Sequence, residues 1–327
     1  MERRAFLYGS LCAGLAAPSP AGAEPARKVY RVGLLGLAAP SPAPPFLEHF
    51  RQGLRDLGWV EDGDIVVEPR WAAGSLRRLT DLAADLVRSG VDVIVSEGTP
   101  GAHAARYVTR TIPIVMVAAA DPVGSGLVRS LARPGGNVTG LSLMAPEQGG
   151  KRLELLRETV AGLTRVGVLW NPYTLYPWQV VEDIERVAPR LGVTVERLEL
   201  RFRDDLDRAF EEALLRRVGA LLTVEDPFTL THRERIVDFA AQGRLPAIYG
   251  SREFAEAGGL MAYGPDLRAL FRRAARYVDR ILKGAGPADL AVEGPTSFEL
   301  ILNLKAARTL GIAFPPALLR RADQIIE

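Results

Sequence analysis

Arg31-Val32-Gly33-Leu34-Leu35 and Arg165-Val166-Gly167-Val168-Leu169 open the two halves of this chain with nearly the same five residues. Each run is short and apolar, as expected of a strand buried on both faces. Each is followed by apolar residues at helical spacing: Leu47, Phe50, Leu54 and Leu57 after the first, Val181, Ile184, Val187 and Leu191 after the second. An R-V-G-aliphatic start is common among strands, so the echo carries weight only because the order of elements repeats with it. In the first half, strands are predicted over 65–67, 91–95, 112–117 and 138–143. Helices are predicted around Leu76, Leu79, Leu82 and Leu86, over 102–108 and over 123–131. In the second half, strands are predicted over 193–198, 220–224, 246–249 and 259–263, with helices around Leu206, Phe210 and Leu214 and over 234–241. Uniformly apolar strands between helices predict α/β architecture: two doubly wound lobes, each a parallel sheet covered on both faces. The tail breaks the symmetry with a long amphipathic helix over 267–282, a strand over 298–302 and a helix over 305–310. These are the extra elements a chain needs to cross back between two lobes. No low-complexity linker separates the halves, so short hinges are expected.

The 327 residues suffice for two compact lobes. Lys and Arg total 41 against 39 Asp and Glu, a net charge of +2, which leaves no electrostatic footprint for nucleic acid or an acidic membrane. The N-terminus reads as an export signal over 1–23: Arg3 and Arg4, an apolar stretch over 5–17 too short to span a bilayer, and Ala21-Gly22-Ala23 before Glu24. A periplasmic destination follows, by a Sec or a twin-arginine route. Cys12, the only cysteine, lies inside that signal, and Leu11 before it disfavours a lipid anchor. The mature chain would then carry no thiol nucleophile, disulfide or sulfur metal site.

Motifs of catalysis are missing. There is no G-x-x-x-x-G-K-[ST], no complete G-x-G-x-x-G after the first strand and no G-x-S-x-G elbow. His49, His103 and His232 stand alone, without a second ligand at metal spacing. The expectation is therefore a protein without catalytic residues, cofactor or metal. The loops after the strands say more, because ligands of open α/β sheets bind outside the carboxyl ends of the strands. Gly98-Thr99-Pro100 follows the third strand. Thr99 is expected to be an N-cap with Pro100 at the first helical position, and the free N–H groups there suit a carboxylate. Asp121 follows the fourth strand and either takes a ligand amine or caps the next helix. Ser142 sits where the first lobe ends. Asn171 and Tyr173 follow the first strand of the second lobe and either meet a ligand or form a turn. Asp226, after Glu225, and Tyr249, before Gly250, hold corresponding places, and Tyr263-Gly264-Pro265 reads as a crossing back to the first lobe. Trp170, Tyr173, Tyr176 and Trp178 could stack an aromatic solute or belong to a core.

From about Tyr30 onward the chain resembles the bacterial ABC-transporter substrate-binding proteins of the type that includes tryptophan- and tyrosine-binding members. The resemblance is carried by Phe50-Arg51-Gln52-Gly53-Leu54, by Asp121-Pro122-Val123 and above all by Ser130-Leu131-Ala132-Arg133-Pro134-Gly135-Gly136-Asn137-Val138-Thr139-Gly140. Leu169-Trp170-Asn171-Pro172, Ala257-Gly258-Gly259-Leu260 and Tyr277-Val278-Asp279-Arg280-Ile281-Leu282-Lys283-Gly284 add to it. It implies a type I periplasmic-binding fold with three hinge crossings, a solute in the cleft between lobes, and a membrane permease with its ATPase as partners. The lobes would be 29–142 with 265–294 and 143–264 with 295–327, hinged near 141–145, 263–266 and 293–297. Two residues depart from the family's habit. Ala262 stands where Ser is commoner before Tyr-Gly. Glu97 stands where a small residue is usual before Gly98-Thr99, placing an ionisable group beside the carboxylate site, which counts against an ordinary amino acid as solute.

The function expected is that of a monomeric, non-enzymatic, extracytoplasmic component of an ABC importer. It would clamp a small organic solute, an aromatic or branched amino acid or a related carboxylate, between Gly98, Thr99, Asp121 and Ser142 on one side and Asn171, Tyr173, Asp226, Tyr249 and Tyr263 on the other. A periplasmic sensory module presenting its solute to a receptor is the alternative. A two-domain α/β transferase fits less well, and a sugar-sensing repressor would need a DNA-binding head where this chain has a signal.

Overall fold

A computed structural model describes residues 28–37, 46–143, 148–173, 175–201 and 205–327. The expected signal over 1–23, with Cys12, lies outside the described residues, as do positions 144–147 of the first crossing.

Two sheets form, and the repetition of the sequence is visible in their strand order. The first holds β1 (Tyr30–Gly36), β2 (Ile65–Trp71), β3 (Val93–Glu97), β4 (Ile114–Ala119) and β5 (Val138–Ser142), all parallel, ordered β2-β1-β3-β4-β5. The second holds β6 (Arg165–Trp170), β7 (Thr194–Glu199), β8 (Ala220–Thr223), β9 (Ala247–Tyr249) and β10 (Met261–Pro265), parallel and ordered β7-β6-β8-β9-β10. β11 (Phe298–Asn303) and β12 (Gln324–Ile326) continue beyond β10. β1 and β6, the two echoing runs, thus hold equivalent places. These two strands and their neighbours bury Val32, Ile94, Val115, Val168, Leu222 and Ile248, as uniformly apolar parallel strands covered on both faces must.

The chain passes between the sheets three times: after β5, after β10, and before β11. After β10 it enters the helix Leu267–Leu282, capped by the Asp266 carboxylate on the Ala269 N–H (3.0 Å). This helix lies against the helix Leu47–Asp56 and β4 of the first sheet, and Phe46 stacks on Phe271 at 4.8 Å. On its way back the chain zips to β5: Ser142 N–H donates to the Glu293 carbonyl (2.9 Å) and Glu293 N–H to Gly140 (3.1 Å). Because β11 enters the second sheet from the first lobe, it runs antiparallel to β10, the one reversal of direction among the described strands.

The helix expected over 123–131 does not form; the segment is a series of turns. Gly126 sits at φ +71° and interrupts helical continuity. Asp121 also offers the backbone a local alternative: its Oδ1 accepts the Gly124 N–H (2.8 Å), and its carbonyl accepts the Ser125 hydroxyl (2.5 Å).

Candidate functional site

In each sheet the helices leave on opposite faces on either side of the first strand, which opens a crevice at the carboxyl ends of β1 and β3 and, in the second sheet, of β6 and β8. The carboxyl ends of β3 and β4 face those of β8 and β9 across a cavity of about 510 Å³ of atom-free space, part of it open solvent. The first lobe lines it with Phe46, Glu97, Gly98, Ala118, Leu267 and Phe271. The second lobe lines it with Glu225, Asp226, Leu230, Gly250 and Ser251, and the crossings contribute Leu143 and Pro265. A larger groove beside the helices Arg233–Gln242 and Leu304–Leu310 lies within the second lobe, away from both crevices.

On the first-lobe side the polar group is Glu97, the last residue of β3. Its side chain lies over Gly36, which faces Trp71 in the neighbouring register. A Cβ on Gly36 would come within 2.3 Å of the Trp71 ring and 2.7 Å of Glu97 Oε2, so glycine there makes room for the carboxyl. Burial pushes this carboxyl up to about 7 from its ordinary 4.5, and the hydrogen bond from the Leu37 backbone only partly opposes that. Gly98 then turns the chain at φ +66°. The helix begins at Gly98, earlier than expected, with Glu97 in the cap position. Thr99 is therefore not the N-cap. Its hydroxyl instead accepts the Ala120 N–H beyond β4 (3.0 Å), tying the ends of two strands together. Ala118, at φ +58°, forms a bulge in β4 that brings its backbone to the cavity wall.

On the second-lobe side the floor is an ion pair. Arg152, fully buried on the helix Gln148–Thr159, sends two guanidinium nitrogens to the Glu225 carboxylate (2.5 and 2.7 Å), one of them also to Gln148 Oε1 (3.1 Å), and its Nε to the Tyr263 carbonyl (2.7 Å). A Cβ on Gly250 would stand 1.9 Å from Glu225 Oε2, so only glycine lets the end of β9 pass this pair. Asp226 caps the short helix Pro227–Thr231 in a reciprocal bond with Thr229, and accepts Asn171 Nδ2 at 2.8 Å. Burial raises the Asp226 carboxyl, with Glu225 adding to the effect, while the bonds from Thr229 and Asn171 pull the other way.

Of the nine residues expected to touch the solute, Gly98 and Asp226 line this cavity, and Glu97, noted in the sequence as a departure, lines it too. Asn171 stands one contact behind, holding Asp226. Asp121 caps a turn and not a helix, and its Oδ2 accepts Gln179 Nε2 (2.9 Å) from the helix Leu175–Leu191, a hydrogen bond between the lobes. Ser142 is buried and donates to the Ala120 carbonyl (3.3 Å). Tyr173 is largely exposed, its N–H on Asn171 Oδ1 (3.0 Å). Tyr249 points the other way: strand alternation sends its ring into the core of the second lobe, stacked on Phe254 at 4.7 Å, and leaves Gly250 at the cavity. Tyr263 is drawn against Phe298 and contributes its carbonyl to Arg152. Trp170 is buried with Trp178 edge-on at 4.6 Å, and the Arg197 guanidinium covers both rings; the side chain of Tyr176 is outside the described ones. Arg152 escaped the sequence reading. Its only signal is spacing, since it stands three and four residues from Gln148, Leu155 and Leu156 on the buried face of its helix.

The ABC transporter substrate binding protein family model matches residues 46–326. The chain belongs to that family. Substrate-binding proteins of ABC transporters bind a small solute, act outside the cytoplasm and serve a transporter, and their part is binding and not turnover. Among relatives of this substrate-binding chain is the tyrosine-binding protein of Clostridioides difficile (strain R20291), 26% identical over 80% of this chain and 75% of the relative. Among solved structures, a conserved domain protein from Vibrio cholerae is 28% identical with a TM-score of 0.84. The ABC domain from Streptococcus pneumonia, in complex with L-Trp, is 25% identical with a TM-score of 0.84. Each covers 91% of this chain and 100% of the other. No helix among the described residues is long and apolar enough to cross a membrane.

The hydrogen bond between Gln179 and Asp121 gives the substrate-binding chain a latch between lobes. Removing it with Gln179→Ala loses one partly buried bond, worth about 1 kcal/mol. Solute-free protein should shift toward an open form, with solute affinity falling up to about tenfold and the melting temperature little changed. Small-angle scattering of the solute-free variant, compared with wild type, reads the shift.

Proposed function

We propose that this protein is the periplasmic solute-binding component of an ABC importer, exported by its first 23 residues through a Sec or twin-arginine route. It would act as a monomer that clamps a small organic solute and presents it to a permease and its ATPase. Its lobes would be 29–142 with 265–294 and 143–264 with 295–327. The observation that carries this reading is the cavity at the strand ends of both sheets, walled by apolar side chains and a few buried polar groups, with two of the three crossings lining it at Leu143 and Pro265. Gly98 and Asp226 would touch the solute. Thr99, Asp121, Ser142 and Asn171 would hold the walls in place, and Tyr173, Tyr249 and Tyr263 would serve the frame. Closure is favoured because a solute touching both lobes binds the closed form better than the open one.

The test is a thermal-shift screen of the chain against amino acids, amines, sugars and carboxylates, with scattering on every hit. A solute at a hundred times its Kd raises stability by about 2.7 kcal/mol, and the radius of gyration should fall. Hits that raise the melting temperature without any change in shape, or release of an altered solute, would speak against a clamp.

A further inference from the structure

The polar groups of the cavity are one-sided. Among the described residues its titratable lining groups are Glu97, Glu225 and Asp226, and no described lining residue is Lys, Arg or His. The nearest cation, Arg152, is committed to Glu225 through two nitrogens, to Gln148 and to the Tyr263 carbonyl. Glu97 is nine-tenths buried and receives a hydrogen bond from the Leu37 backbone, which leaves most of a carboxylate's acceptor sites open. The buried hydroxyl of Ser251, also in the lining, meets no hydrogen-bond partner of proper geometry, although the Glu253 carboxyl lies close enough to feel it. The large apolar side chains of the wall are Phe46, Phe271, Leu143, Leu230 and Leu267.

A solute carboxylate would look for the first N–H groups of the helix Gly98–Val108. The residue entering that helix is Glu97, whose carboxyl makes no cap bond to the helix but is held beside it over Gly36 by the Leu37 N–H, so a carboxyl of the chain's own stands next to that place. A second carboxylate there would meet carboxyl groups on both sides of the cavity and, among the described lining residues, no cation to pair with. An ammonium group would find acceptors on both lobes while its apolar body filled the phenyl-lined wall.

Resting on the reading of the cleft as a solute clamp, we propose that it takes an amine-bearing cation with an apolar body, discriminates against solutes carrying a carboxylate, and owes this preference to Glu97.

Calorimetric titration of the full chain with pairs that differ only by a carboxylate tests this: tryptamine against L-tryptophan, tyramine against L-tyrosine, phenethylamine against L-phenylalanine. The amine of at least one pair should bind ten or more times as tightly as its amino acid. Glu97→Gln, close in size, should cut amine affinity about tenfold and narrow that ratio. Glu97→Ser should act in the same direction, its fold checked by an unchanged cooperative unfolding transition. An amino acid that binds wild type as tightly as its amine and contracts the protein in scattering overturns this inference and leaves the clamp standing. Contraction on sugars or carboxylates with none on the amines overturns it likewise, as does an unchanged ratio in both Glu97 variants. If no solute of any class contracts the protein, both readings fall together.

Discussion

Replacing Arg152 with alanine should lower the unfolding free energy by about 3–5 kcal/mol, the largest loss expected of any single substitution at the cleft. The guanidinium is fully buried and bonded to Glu225, Gln148 and the Tyr263 carbonyl. Without it, the Glu225 carboxylate stays in a dry site with its principal counter-charge gone. The cost comes from that stranded charge and not from the net worth of the pair, because forming a buried pair already requires stripping water from both ions. The double substitution Arg152→Met with Glu225→Leu should therefore cost less than half as much, as it removes the charge and its partner together. Urea unfolding of the three variants and wild type, at equal dependence on denaturant, measures the difference. Similar losses for the single and the double variant would show that packing, not charge, holds the floor of the cleft.

Glu97→Gln should stabilise the solute-free protein at pH 8 and leave it nearly unchanged at pH 4. Burial raises the Glu97 carboxyl from an ordinary 4.5 to about 7. The folded chain thus keeps the proton to about pH 7, while the unfolded chain gives it up near 4.5. Between those values the unfolded state binds fewer protons, so stability falls as pH rises, and the whole cost is present above pH 7. A shift of that size corresponds to about 3 kcal/mol, or several degrees of melting temperature in a chain of this length. Glutamine carries no charge to desolvate. Asp226 and Glu225 across the cavity, Arg152 behind them and His103 on the following helix also titrate or carry charge, but they are common to both proteins. The difference between the two melting curves from pH 4 to 8 therefore isolates Glu97. A difference that stays flat across that range would mean the carboxyl is already ionised at no cost in the folded state. The cost itself is informative, since a group that destabilises the empty protein is understandable where a solute completes it.

Sequence patterning carried the frame because it records local facts. A buried strand must be apolar wherever it ends up, so β1 and β6, the order of helices between strands and the late return of the chain could be read without coordinates. The same patterning misplaced the segment 123–131, where the hydrophobic residues have helical spacing but Gly124 and Gly126 let Asp121 close turns instead. It put Tyr249 at the cleft for want of knowing which way the strand alternates, and it made Thr99 a cap when its partner is the N–H of Ala120, far along the chain.

Read alone, the sequence determined that two similar α/β units would form, that their strand ends would carry the loops of interest, and that Glu97 was an unusual residue to find beside Gly98. Tertiary structure decided which of those loops share a cavity, that Asp121 meets Gln179, and that Arg152 spends its charge on Glu225, 73 residues away. The reason is range: leaving water imposes a period on each segment separately, whereas the partner of a buried charge is whichever group the crossing of distant strands delivers to it.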